Sequence, residues 1–238
     1  MTKDIHLKDR LILALDMPTV EEAARLVAQL QEGVHFYKVG LELLFAGGLD
    51  FAQHLKAQGK RVFLDMKLLD IGNTVERAVA NAADFGVDFL TVHGQDLKTL
   101  RAAVVGRGHS DLKLLAVTVL TNLSAEDLIQ QGSTLSPSDL VLQRARLAQE
   151  AGFDGVIASG QEAHRIRKAV GQDFLIVTPG IRLEGSAMDD QERVMTPEHA
   201  IRAGADHIVV GRPITEADDP RAAALAFCQH IRDALTLN

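Results

Sequence analysis

The chain has 238 residues and carries 25 Lys plus Arg against 32 Asp plus Glu, a formal net charge of −7. A hydrophobic fraction of 47 % with 24 % charged residues excludes disordered, collagen-like and disulfide-scaffold chains, and one α/β domain of roughly 200–250 residues can take up the whole length, 1–238. The acidic balance, with one Tyr, no Trp and no Lys/Arg-rich run, lacks the electrostatic footprint of nucleic-acid binding. Cys228 is the single cysteine, so neither an intramolecular disulfide nor a thiolate metal cluster can form, which fits a reducing compartment. The opening MTKDIHLKDR is polar, which argues against a signal peptide. No apolar run approaches the roughly 20 residues a bilayer requires. A cytoplasmic protein without membrane or nucleic-acid partners is the expectation.

In chain order, short β-branched apolar segments alternate with longer amphipathic ones. Strands are predicted at 11–16 (LILALD), 35–40 (HFYKVG), 61–67 (RVFLDMK), 88–94 (DFLTVHG), 112–120 (LKLLAVTVL), 154–159 (DGVIAS), 174–180 (FLIVTPG) and 206–212 (DHIVVGR). Helical patterns lie between them, including 19–31, 73–86, 139–152 and 219–235. Asn73 with Glu76 three residues on predicts a capping box, and Gly86 and Gly152 stand where helices should stop. The stretch 182–199 reads as irregular and is too long for a simple turn, which suggests a functional loop.

Alternating strands and helices form parallel βαβ units, and strands apolar on both faces are covered on both. Eight such units predict a single (β/α)8 TIM barrel with its site at the C-terminal ends of the strands. A dinucleotide fold would need Gly-x-Gly-x-x-Gly after the first strand, where LALDMP stands instead.

Charges at those strand ends are the informative anomaly. Asp16 ends the first strand, Lys38 lies near the end of the second, and Asp65 and Lys67 end the third. A period of two puts Phe63, Asp65 and Lys67 on one face and Val62, Leu64 and Met66 on the other, so both charges should point into the barrel mouth. Buried ion networks stabilise poorly compared with apolar replacements, so four alternating charges at the catalytic end indicate function more than architecture. Asp70 adds a carboxylate three residues after Lys67. Across the mouth, TPGIR (178–182) and GRPI (211–214) occupy the usual phosphate position of such barrels. There Gly180 and Gly211 would let backbone N–H groups approach an anion, and Arg212 could bind phosphate oxygens in bidentate fashion.

The string DMKLLDIGNT (65–74), with LALD and FYKVG before it and VTVLTN, TPGIR and VVGRPI after it, resembles the bacterial type of the orotidine 5′-monophosphate decarboxylase family over nearly the whole chain. The resemblance implies conversion of orotidylate to UMP in pyrimidine biosynthesis without metal or cofactor. It implies that Lys67 is the proton donor in an alternating network of Lys38, Asp65, Lys67 and Asp70. It further implies that Asp16 and Lys38 hold the ribose hydroxyls, that Thr121 contacts the pyrimidine, and that Arg182, Gln191, Gly211 and Arg212 surround the ligand, with Gln191 and Arg212 at the phosphate. The family's barrel is a homodimer in which the residues matching Asp70 and Thr74 reach the partner's site, and 182–193 matches its closing loop.

Chemistry agrees with these roles. Decarboxylation at C6 of the pyrimidine leaves a vinylic carbanion with no adjacent carbonyl to delocalise it, so catalysis must rest on preorganised electrostatics. Lys67, flanked by carboxylates, is expected to remain an ammonium that stabilises and then protonates that carbon. Two rivals stay open: a Mg²⁺-dependent phosphosugar decarboxylase or synthase of the same superfamily, which should carry an acidic metal ligand where Lys38 stands, and a non-catalytic phosphate-binding barrel. His93 is expected to make a structural hydrogen bond, Ser159 either to cap a helix or to touch ligand, and Cys228 to be a small core residue.

Overall fold

The alternation of apolar strands and amphipathic helices closes on itself. In the computed structural model, which describes residues 5–183 and 195–236, eight parallel strands pair in chain order and β1 also pairs with β8. They are β1 (Leu11–Ala14), β2 (Phe36–Val39), β3 (Arg61–Leu68), β4 (Phe89–His93), β5 (Lys113–Val117), β6 (Gly155–Ile157), β7 (Leu175–Thr178) and β8 (His207–Val210). The helices are α1 (Leu7–Arg10), α2 (Val20–Leu30), α3 (Leu41–Leu43), α4 (Leu49–Ala57), α5 (Gly72–Phe85), α6 (Leu97–Arg107), α7 (Ala125–Gln130), α8 (Pro137–Ala151), α9 (Gly160–Val170), α10 (Pro197–Arg202), α11 (Arg212–Thr215) and α12 (Pro220–Thr236), with a π-type turn at Leu44–Gly48. The (β/α)8 barrel expected from the sequence is therefore present. Among the described residues, no helix is long and apolar enough to cross a membrane.

Strand periodicity sorts the side chains into two cores. Ile12, Ala14, Phe36, Phe63, Phe89, Leu115, Val177 and Val209 fill the barrel interior, and a larger cluster lies between the outer strand faces and the helices. Phe36 and Phe63 both meet Phe89 edge-on, at 4.9 and 5.9 Å between centroids, the geometry aromatic quadrupoles prefer. Below them the N-terminal end of the barrel is polar. The Arg61 guanidinium lies 4.4 Å over the Phe36 ring and donates to Asp88, while the fully buried His207 donates from Nδ1 to the Asp9 carbonyl of α1 at 2.8 Å. The short α1 thus seals the bottom of the barrel and leaves the opposite end for chemistry.

Local expectations fail in instructive places. Most predicted strands overrun, because residues such as Asp16 and Gly40 leave the ladder to build the mouth: β1 ends at Ala14 and β2 at Val39. The capping box at Asn73 and Glu76 is not formed. Instead α5 starts at Gly72 with Ile71 as its cap residue, because the Asp70 carboxylate already accepts the Ile71 N–H at 2.6 Å. The irregular stretch ends before His199, since Pro197 opens α10 behind the Thr196 cap. Gly86 and Gly152 do terminate α5 and α8 in the left-handed conformation.

Candidate active site

The third strand carries the centre of the site. Its alternation sends Phe63 into the interior core, with Asp65 and Lys67 above it facing the cavity, while Val62 and Leu64 pack outward against the helices. This survives an irregularity. The β3–β4 register runs from Leu64 opposite Leu90 to Leu68 opposite Val92, so β3 spends two more residues than its neighbour. An even excess preserves facing; an excess of one would have turned Lys67 away from the mouth. At this bulge Lys67 adopts φ +49°, a left-handed conformation that costs a side-chain-bearing residue about 1–2 kcal/mol.

The charges form a row across three strands. Lys38 Nζ lies 2.9 Å from Asp16 Oδ1 and 3.5 Å from Asp65 Oδ2, and Lys67 Nζ lies 2.7 Å from that same Asp65 oxygen. Burial alone would push the Lys38 ammonium down, but Asp65 and Asp16 outweigh it and raise its pKa above the ordinary lysine value. Burial would likewise raise the Asp65 carboxyl, yet Lys38, Lys67 and hydrogen bonds from Lys67 and Thr91 hold it below the usual carboxylate range. Both groups are therefore charged at neutral pH, each because of the other. Neither is left as an isolated buried ion.

Two contributors escaped the sequence reading. A Cβ on Gly40 would sit 2.7 Å from Asp16 Oδ1 and 2.9 Å from Lys38 Nζ, so the bare backbone there lets that pair close. The Thr91 hydroxyl, fully buried on β4, donates to Asp65 Oδ1 and accepts the Lys67 backbone N–H, each at 2.9 Å. A glycine after a strand and a threonine inside one are ordinary in a sequence, and neither carried a signal there.

Asp16, Lys38, Asp65, Lys67, Thr121, Arg182, Gly211 and Arg212 all line one cavity of about 630 Å³, together with Gly40, Gly180 and the acidic Glu42 and Glu216. That volume suits a nucleotide-sized ligand. Gly180 takes φ +75° at the end of the β7 segment, and Arg182 donates from Nη1 to the Ile181 carbonyl. Asp70 and Thr74 are not in this lining: both are exposed. Within one chain the alternating row therefore comprises Asp16, Lys38, Asp65 and Lys67, and Asp70 stands outside it. Gln191 and most of the expected closing loop lie outside the described residues.

The residues read more plainly also have places. His93, half-buried at the end of β4, lies outside the cavity lining, and burial, reinforced by Arg144 and Lys67, pushes its imidazole pKa down. Ser159 caps α9 by accepting the Gln161 N–H. Cys228 packs half-buried against the outer core.

With this geometry in hand, similarity to known proteins is decisive. A profile of the Orotidine 5'-phosphate decarboxylase / HUMPS family matches residues 9–227. The chain belongs to this family. Two members named orotidine 5'-phosphate decarboxylase are close in sequence: that of Rhodopseudomonas palustris (strain BisA53) is 52 % identical over 99 % of this chain and 100 % of its own length. That of Nitrobacter winogradskyi is 54 % identical over 96 % of this chain and 95 % of its own. The crystal structure of orotidine 5'-phosphate decarboxylase from Lactobacillus acidophilus superposes with a TM-score of 0.83 at 38 % identity, covering 94 % of this chain and 99 % of the other. Family membership thus extends over the segments that bear the charged row and those after β7 and β8 that bear Gly180 and Arg212.

Proposed function

We infer that this protein decarboxylates orotidine 5′-monophosphate to UMP, the last step of UMP biosynthesis, and that it does so with its own side chains, without metal or cofactor. The observation that carries the chemistry is the shared Asp65 oxygen with two ammonium groups upon it. The substrate's C6 carboxylate enters beside Asp65 and is repelled by it. The C6–carboxylate bond breaks, CO₂ departs, and the electron pair stays on C6 in the ring plane. Lys67 Nζ, held at the cavity by its bond to Asp65, stabilises that pair and donates a proton to it. Fixed charges in a site that excludes water are worth more than the same charges in solution, because they need no reorganisation as the carbanion forms. Asp16 and Lys38 hold the ribose hydroxyls, Thr121 the pyrimidine, and Arg212 with Gln191 the phosphate, with Arg182 and Gly211 against the ligand. Phosphate binding lies far from C6, so its energy can hold the site shut around the reacting carbon.

Lys38 and Lys67 both sit on Asp65, so a divalent cation at that carboxylate would meet two positive charges. This weighs against the Mg²⁺-dependent rival. Purified protein in excess EDTA is expected to convert orotidylate to UMP, followed as loss of the substrate's ultraviolet absorbance. Turnover only on addition of Mg²⁺, or binding without turnover, would replace this reading by one of its rivals.

The active form is a homodimer in the cytoplasm, with Asp70 and Thr74 completing the partner's site. The lone cysteine supports the compartment, and the surface supports the dimer. Leu69 and Ile71 flank Asp70, Ile71 is 73 % exposed, and Phe45, beyond the adjacent strand β2, is 89 % exposed. Large exposed apolar side chains on both sides of the Asp70 carboxylate, with another on the turn after β2, support a surface for association. Lys67→Ala and Asp70→Ala proteins should each be inactive. Mixed in equal amounts with free exchange, half of the dimers are hybrids with one intact site each, so about a quarter of wild-type activity should return. Verified exchange with no recovery would place Asp70 in its own subunit's site or outside catalysis.

A further inference from the structure

The bulge in β3 has to be held open by something, and one side chain does so. Between Leu64 and Leu68 the β3–β4 ladder is interrupted, leaving the Lys67 N–H without a strand partner in a residue already at φ +49°. The Thr91 hydroxyl accepts that N–H at 2.9 Å and donates its own O–H to Asp65 Oδ1 at 2.9 Å. The other Asp65 oxygen, Oδ2, is thereby left for Lys67 Nζ and Lys38 Nζ. One buried oxygen therefore sets the backbone of one reacting residue and the rotation of the carboxylate beside it. Only a group that donates and accepts at once can do both, and a hydroxyl is the smallest such side chain.

We propose that Thr91 is a positioning residue for decarboxylation, holding the left-handed backbone of Lys67 and the carboxylate plane of Asp65 so that the Lys67 ammonium faces the reacting carbon. This rests on the reading of Lys67 as proton donor. Thr91 touches neither Arg212 nor the phosphate side of the cavity, so its loss should act on the chemical step rather than on substrate capture. Strain kept at a site by one specific bond is a recognised route to preorganisation.

The test compares Thr91→Val, which keeps the shape and removes the hydroxyl, with Thr91→Ser, which keeps the hydroxyl. For Thr91→Val, kcat should fall roughly 100-fold, the scale of a misplaced reacting group, with KM near wild type. The acid limb of its kcat profile should move to higher pH, because Asp65 loses a hydrogen bond that favours its ionised form. Thr91→Ser should restore kcat to within several-fold of wild type and return the limb to its place. If Thr91→Val fails to fold, Thr91→Ala is read in its stead. Wild-type kcat and acid limb in the hydroxyl-free variant, or equal damage in Thr91→Ser, would overturn the proposal. Lys67→Ala is assayed in parallel. If it retains turnover, the proton-donor reading and the Thr91 proposal both fall; if it is dead while Thr91→Val is unimpaired, only the latter does.

Discussion

Lys67→Ala is expected to lower kcat by up to roughly 10⁴-fold while UMP binding stays measurable by calorimetry. A positioned general acid supplies about 10²–10⁴ in rate and a preorganised electrostatic donor about 10²–10³. In the proposed mechanism one ammonium does both, so the terms overlap rather than multiply. Arg212, which lines the same cavity from the segment after β8, is the proposed phosphate ligand and is untouched by this substitution. Lys67→Arg separates the two contributions, because a guanidinium retains the charge but does not give up its proton. It should remain nearly as inactive as the alanine variant if protonation is the essential part. Turnover of Lys67→Ala within tenfold of wild type would remove this lysine from the mechanism.

The second large effect concerns stability at acid pH. His207, wholly enclosed at the barrel base, has its pKa pushed down to about 4, first by burial and further by Arg61 and Arg10, against opposing contributions from the Asp9 carbonyl and Asp206. In the unfolded chain the same imidazole titrates near 6.5. Between those values the unfolded state holds a proton that the folded state refuses, so stability rises with pH across the interval and falls as the solution is acidified. The window spans about 2.5 units and amounts to about 3 kcal/mol. Urea unfolding at fixed protein concentration from pH 4 to 7 should show this loss in the wild type. His207→Asn keeps a nitrogen donor for the Asp9 carbonyl but cannot titrate; its stability should be lower overall and depend on pH less steeply by that amount. Parallel curves for the two proteins would show that another group governs acid unfolding.

The barrel was legible because its two periodicities are simple, and Asp65 and Lys67 were legible because polar residues at alternate positions broke a strand that should be apolar. Even the bulge did not spoil that inference, since two surplus residues leave the parity of β3 intact. What stayed hidden was relational. Thr91 looks like any β-branched strand residue until Asp65 and the Lys67 amide are seen on either side of its hydroxyl, and Gly40 looks like a turn until the Asp16–Lys38 pair is seen to fill the space its Cβ would need. The capping box misled for a related reason: Asp70 binds the Ile71 N–H, and α5 starts at Gly72, one residue before Asn73.

The seam between β1 and β8 has a consequence for the order in which a growing chain becomes competent. Every member of the charged row, from Asp16 to Lys67, is synthesised within the first third of the molecule, whereas Gly211 and Arg212 follow only as the last strand emerges. Since β1 finds its second neighbour in β8, a ribosome-bound chain has its row of charged residues long before it has an enclosed barrel or the Gly211–Arg212 segment. Domains dominated by such end-to-end pairing close late. A nucleotide held as proposed, by Asp16 and Lys38 on one side of that seam and Arg212 on the other, binds only a finished molecule and then helps hold its first and last strands together.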